Sequence, residues 1–339
     1  MQSEGYEEGI CMVAESCHQT SEGIGLMASI RRGRSAGIYS CTQSKHNAPD
    51  MAERTYLCSS WCDLTWSDWV PFGEFSERKA VLPLEPGVYR VRPVDRDCLM
   101  YIGQTGRTLR QRLSELSKYW KTPKLMPYND PHTAAPSLWA WRDATGLDFE
   151  CSGAPLPTPV DAHVREAVEC YLLWRYRLEY GSSPLCNFGR FHPDYRKSRD
   201  RSSGQRGGQL PEGVINPAGG PSLPPLRPVG SPCSTDWMTL HWSESRPLHR
   251  SPDVPRQPGL YRILSTEDED VIYIGQSVDI RARLSTHAHK KWGKSEVEYS
   301  YVACSPDILP HQLKELENDL IAGYYAKERR VPVYQFTNR

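Results

Sequence analysis

Two sets of residues in this chain place a pair of phenols, a guanidinium and a carboxylate in the same order. The first is Tyr89, Tyr101, Arg112 and Glu169, followed by Asn187; the second is Tyr261, Tyr273, Arg283 and Glu317, followed by Gln335. Twelve positions separate the tyrosines in each set, and eighteen separate the glutamate from the closing amide. These side chains suit hydrolysis of a phosphodiester. Attack on phosphorus puts negative charge on the phosphoryl and leaving oxygens, so a site needs a cation, positive side chains and a group to take a proton from water. A guanidinium fork matches phosphate geometry and stays charged at any relevant pH. A carboxylate inside an apolar helical pattern, as in VECYLL and ELENDLI, needs a partner, and a bound cation is one candidate. Each residue alone has a plainer role: a tyrosine after a turn is ordinarily a half-buried sheet residue, and a helix arginine a solvated charge. The repetition is what lifts the set above that, because chance rarely writes a pattern twice.

The elements that must hold these residues repeat as well. Pro86-Gly87 and Pro258-Gly259 are turn signals feeding the β-rich runs VYRV and LYRI, and LMYIG and VIYIG read as the returning strands. Residues 108–120 and 279–290 carry Leu at helical intervals with Arg between. FECSGA and VEYSYVAC alternate as third strands, and 160–179 and 310–328 are the strongest helical patterns. The spacing predicts a mixed α/β (α+β) chain of two small domains, each a short antiparallel three-stranded sheet flanked by helices.

PGVYRV with YIGQTGRTLRQRL, and PGLYRI with YIGQSVDIRARL, resemble the GIY-YIG nuclease family, over roughly 85–195 and 257–338. The resemblance implies a divalent-metal-dependent DNA endonuclease, in restriction or phage defence or, alternatively, in nicking and repair. A DNA-binding protein that has lost catalysis is the opposing reading. The resemblance also implies that Glu169 and Glu317 hold Mg2+ (or Mn2+) and that Arg112 and Arg283 face the scissile phosphate. Tyr89 and Tyr261 would act as general bases, with Tyr101 and Tyr273 orienting water or phosphate. Two departures stand out. Where many members carry a His or Tyr about four residues after the Arg, the second repeat has His287 and the first Leu116; the first keeps Asn187 where the second has Gln335. His132 is a candidate substitute for the missing histidine, although a lone loop histidine is ordinarily incidental.

With 41 basic and 41 acidic residues among 339, the chain has no net charge, which excludes coating of nucleic acid by bulk attraction. Local basic runs remain: Lys118, Lys121, Lys124 and Arg142 beside aromatics, and Arg190, Arg196, Lys197, Arg199 and Arg201 after Asn187, each a candidate phosphate-binding stripe or a solvated face. The 28 Pro and 25 Gly imply long stretches outside the cores. The expected division is a disordered region 1–56, a first domain 57–197 with an inserted segment 121–147, a Pro/Gly/Ser-rich linker 198–232 and a second domain 233–339. The insert lengthens the first repeat between its Arg and Glu, and Trp139 and Trp141 there fit a small satellite core. No run approaches the ~18 apolar residues of a membrane span. The N-terminal residues lack a secretory pattern, and eleven scattered cysteines do not read as a disulfide framework, so the expectation is a cytoplasmic protein with reduced thiols. The sequence leaves the oligomeric state open, a monomer with two sites being one arrangement. Cys58 and Cys62 lack a second Cys/His pair at finger spacing, so zinc is not expected.

Overall fold

The turn, strand and helix signals become, in the first repeat, β1 (Val70–Pro71), α1 (Phe75–Arg78), β2 (Gly87–Pro93), β3 (Tyr101–Thr105), α2 (Leu109–Trp120), α3 (Ala135–Thr145), β4 (Phe149–Pro155) and α4 (Ala162–Tyr180). A short pair follows, β5 (Tyr195–Arg196) and β6 (Gly208–Gln209). The second repeat contains β7 (Arg246–Pro247), β8 (Gly259–Ser265), β9 (Asp270–Ser277), α5 (Ile280–His287), β10 (Val297–Ala303) and α6 (Pro310–Glu328). This is a computed structural model that describes residues 54–120, 125–129, 133–157, 159, 161–248, 253–293 and 296–337. The region 1–53 and Lys121, Lys124 and His132 lie outside the described residues.

Both sheets are antiparallel with the same order, β1-β4-β2-β3 and β7-β10-β8-β9. The three expected strands are all present, and a two-residue strand before the hairpin adds a fourth to each sheet. Alternation along the strands sorts their side chains to two faces. Tyr89, Val91 and Tyr101 pack with Leu109, Leu113 and Leu116 of α2. Val88 and Ile102 face the other way and pack with Leu172 and Tyr176 of α4. The second repeat divides likewise, with Tyr261 and Ile263 against Ile280 and Leu284 of α5, and Leu260 and Ile274 against Leu316 and Leu320 of α6.

Each sheet is also pinned by a feature that the hydrophobic periodicity does not announce. Trp61 and Trp66, and Trp237 and Trp242, are paired at 5.9 Å across kinked turns where Cys62 and Asp63, or Met238 and Thr239, take positive φ. The second indole of each pair donates to the carbonyl of the first. A buried strand arginine enters each turn: Arg90 lies 4.2 Å over Trp66 and donates to the Tyr56 and Cys58 carbonyls, and Arg262 lies 4.4 Å over Trp242 and donates to those of Pro232 and Cys233. Cation–π contact and charge-assisted bonds to carbonyls offset burial of the guanidinium.

Arg54–Arg339 forms one unit, joined along α4 and α6. Equivalent positions of these helices differ by 148, the separation of Glu169 and Glu317. Tyr171 meets Tyr325 at 6.0 Å, and Arg177 pairs with Asp319 at 2.9 Å. Exchanging the repeats converts one of these contacts into the other, so the helices are antiparallel about a pseudo-twofold axis. At the crossing, Asn318 donates to the Cys170 carbonyl.

The segment 198–232 links the repeats as its composition suggests, but much of it is held against them. Trp174 donates to the Leu226 carbonyl, while Leu223 N–H and Ser222 Oγ–H donate to Glu315. Arg177, Glu315 and Asp319 are fully buried here. Arg177 grips Asp319 through Nε and Nη2, and Asp319 also accepts from Leu226 N–H.

Candidate active site

The glycine of each YIG run has a geometric reason. Tyr89 lies opposite Gly103 and Tyr261 opposite Gly275 in the strand register. A Cβ on Gly103 would meet the Tyr89 hydroxyl at 2.7 Å, and one on Gly275 the Tyr261 hydroxyl at 2.4 Å. Each first phenol therefore lies across the glycine, beside the second phenol, with ring centroids 6.0 Å apart in the first repeat and 6.1 Å in the second.

Around these similar phenol pairs the two repeats differ. In the first, Arg112 Nε donates to the Tyr89 hydroxyl at 3.2 Å. Leu116 is buried, and Ala134, Ala135, Leu138 and Trp141 join Tyr101 and Leu116 in one apolar cluster, so the insert's helix α3 covers this face. Tyr101 is 8% exposed, and its hydroxyl interacts with Thr133. In the second repeat the Tyr261 hydroxyl meets His287 Nε2 at 2.9 Å. His287 also lies 5.2 Å from the Tyr273 ring and 5.4 Å from Trp292, whose indole N–H donates to the His287 carbonyl. Tyr273 and His287 are each half-buried, and Arg283 is exposed.

The charged residues of each set act on its phenols. Burial raises Tyr89, opposed by Arg112 and reinforced by Glu169; burial, Tyr89 and Glu169 raise Tyr101. Burial and Tyr273 raise Tyr261 against the pull of Arg283, and burial with Glu317 raises Tyr273. All four phenols are therefore neutral at neutral pH. His287 moves the other way: burial, then the charges of Arg283 and Lys290, push it down to about 4. A neutral imidazole results, with Nε2 able to accept the Tyr261 proton. The sequence thus places Tyr261, Tyr273, Arg283, His287 and Glu317 within one electrostatic cluster, and Tyr89, Tyr101, Arg112 and Glu169 within another.

Asn187 and Gln335 do something else. Asn187 Oδ1 accepts from Ile102 N–H at 3.0 Å while its Nδ2 donates to Ile102 O at 2.8 Å; Gln335 Oε1 accepts from Ile274 N–H at 3.1 Å. These amides pair with the edge strands β3 and β9, beside Tyr101 and Tyr273, and so help to position each strand.

The basic stripes separate in the same way. Lys118 and Arg196 are exposed, and Arg142 and Lys197 are half-buried. Arg190 is buried and donates to the Ser183 and Gly220 carbonyls, which removes it from the phosphate-binding candidates. Trp141 joins the main core of the first repeat, while Trp139 packs against the cluster of Met126, Ala140, Phe191 and Tyr195.

Among the described residues no group of three His, Cys, Asp or Glu side chains forms a metal cage. A hard ion at Glu169 or Glu317 would have one carboxylate from its set and would keep most of its water, as magnesium does. No helix among the described residues is long and apolar enough to cross a membrane. No protein-family model, curated protein or solved structure matches the chain.

Proposed function

We propose that this chain is a divalent-metal-dependent DNA endonuclease of the GIY-YIG type that cuts one strand at its second repeat. The observation that carries this reading is the 2.9 Å contact between the Tyr261 hydroxyl and an imidazole kept neutral by its surroundings, with Arg283 and Glu317 acting on the same phenol. In the proposed reaction, water attacks phosphorus and passes its proton to Tyr261 Oη as Tyr261 passes its own to His287 Nε2, while the bond from phosphorus to the leaving sugar oxygen breaks and that oxygen takes up a proton from solvent. The phenol then needs no free phenolate, which its buried position opposes. Arg283 stabilises charge on the phosphoryl oxygens, and Tyr273 orients the water or the phosphate. Magnesium held at Glu317 would supply further neutralisation of the phosphoryl and leaving oxygens.

The first repeat has no proton acceptor at Leu116, and α3 packs over its phenols. Its role in this reading is to hold the duplex and fix the second site against one strand. The pseudo-twofold axis supports a duplex partner, since the strands of duplex DNA are related by twofold axes.

Supercoiled plasmid with Mg2+ tests the reading, using wild type, Glu317→Gln and Glu169→Gln with EDTA controls. Nicked circles from wild type and Glu169→Gln, and none from Glu317→Gln or in EDTA, are expected. No cutting by wild type, or equal loss in both variants, would overturn it.

A further inference from the structure

After α5 the chain turns back on itself and brings Lys290 under the aromatic wall of the second repeat. Its ammonium lies 4.4 Å from the centroid of Trp292, 5.4 Å from Tyr334 and 5.7 Å from Tyr273. The Nζ atom is buried and has no hydrogen-bond partner among the described residues. Ring faces attract a cation but accept no ordinary N–H hydrogen bond, so three donors are left unanswered. A buried ammonium without an acceptor is costly and is retained where an anion answers it.

Its position indicates which anion. Arg283 and His287 are one turn apart on α5, Lys290 lies three residues beyond its end, and the charges of both Arg283 and Lys290 act on His287. Two cations thus flank the Tyr261–His287 pair. The corresponding residues of the first repeat are Arg112, Leu116 and Tyr119, so only the second has this set of side chains. Lys290 as a whole is half-buried, and its flexible four-carbon stem can turn the ammonium outward.

We propose that Lys290 is a second phosphate-binding residue of this repeat, taking a non-scissile backbone phosphate of the strand that Arg283 engages. The inference rests on the nucleic-acid reading of the site. In the absence of ligand the ammonium is stored over Trp292, Tyr334 and Tyr273; in the complex a phosphate oxygen accepts its protons. Lys290 belongs to binding, and the proton path through Tyr261 and His287 does not include it.

The test is equilibrium binding of a labelled DNA duplex in EDTA, where nothing is cut, as salt is raised from ~50 to ~200 mM. Wild type, Lys290→Met and Lys290→Arg are compared, with Lys79→Met as an exposed-lysine control. Each lost phosphate contact lowers the slope of log K against log salt by about 0.9, so over this range wild type loses roughly 3.5-fold more affinity than Lys290→Met. Lys290→Arg and Lys79→Met retain the wild-type slope. An unchanged slope in Lys290→Met, with wild type binding, overturns this inference alone. Failure of wild type to bind duplex at any salt overturns both it and the nucleic-acid reading. Circular dichroism checks folding, and Lys290→Gln replaces Lys290→Met if that variant does not fold.

Discussion

His287 and Leu116 occupy equivalent places on equivalent helices, each facing a tyrosine that lies across a glycine. In the second repeat the imidazole contacts the Tyr261 hydroxyl. In the first, leucine joins the core, the hydroxyl accepts from Arg112 instead, and α3 packs over the face. The scaffold is conserved between the halves down to the tryptophan turns and the amides pinning the edge strands, yet the surroundings of the phenols are not. A duplicated fold can keep its packing while the groups around its phenols diverge, because phenol pairs and strand register serve stability in both copies. Burial alone therefore does not mark a working site; a proton acceptor and access to ligand do.

The largest expected effect comes from making the repeats alike. His287→Leu should slow cleavage by about 10²–10⁴-fold, the usual contribution of a positioned base, with Tm and duplex affinity nearly unchanged. Measured single-turnover rates close to wild type would remove His287 from the chemistry. The second effect is on the join between the repeats. Arg177→Leu leaves Asp319 and Glu315 buried without their cation and should cost about 3–5 kcal/mol in urea unfolding. A loss below about 1 kcal/mol would show that the two repeats do not depend on this lock.

The pH dependence is smaller and has a definite sign. His287 is near 4 in the folded chain against about 6.5 when unfolded, so unfolding takes up a proton between those values. Stability from this group is fully present above about pH 6.5 and is lost as pH falls toward 4. Thermal melts across this window should fall less steeply for His287→Gln than for wild type; parallel curves would contradict the depressed value. Smallest is Gln335→Asn, which shortens the amide that meets Ile274. It should cost about 1 kcal/mol or less in stability, with kcat reduced only through the displaced strand.

Much of this fold was legible because the hydrophobic periods were clean. The hairpins, the third strands and the helices at 162–180 and 310–328 lie where alternation and leucine spacing put them. The phenols, guanidinium and carboxylate of each set could be chosen because the pattern is written twice. What stayed hidden depended on contacts distant in sequence. The buried arginines Arg90 and Arg262 look like exposed strand residues until the tryptophan turns fold over them, although the repeated Trp-x4-Trp spacing was a visible signal. Asn187 and Gln335 read as site residues because they close each pattern, and only the folded chain, which brings them against Ile102 and Ile274, shows that their amides meet the backbone. The cover over the first site comes from an insert whose Trp139 and Trp141 signalled packing without revealing what they would pack against. Lys290 was one basic residue among many until Trp292 and Tyr334 came to surround it.

The most direct test of the claim that one repeat does the chemistry is the single-turnover rate of strand cleavage by Tyr261→Phe and Tyr89→Phe, each in Mg2+ on the same supercoiled plasmid. Loss of at least ~10²-fold in Tyr261→Phe, with Tyr89→Phe within about threefold of wild type, is the predicted result. Equal losses in the two variants, or a greater loss in Tyr89→Phe, would contradict it.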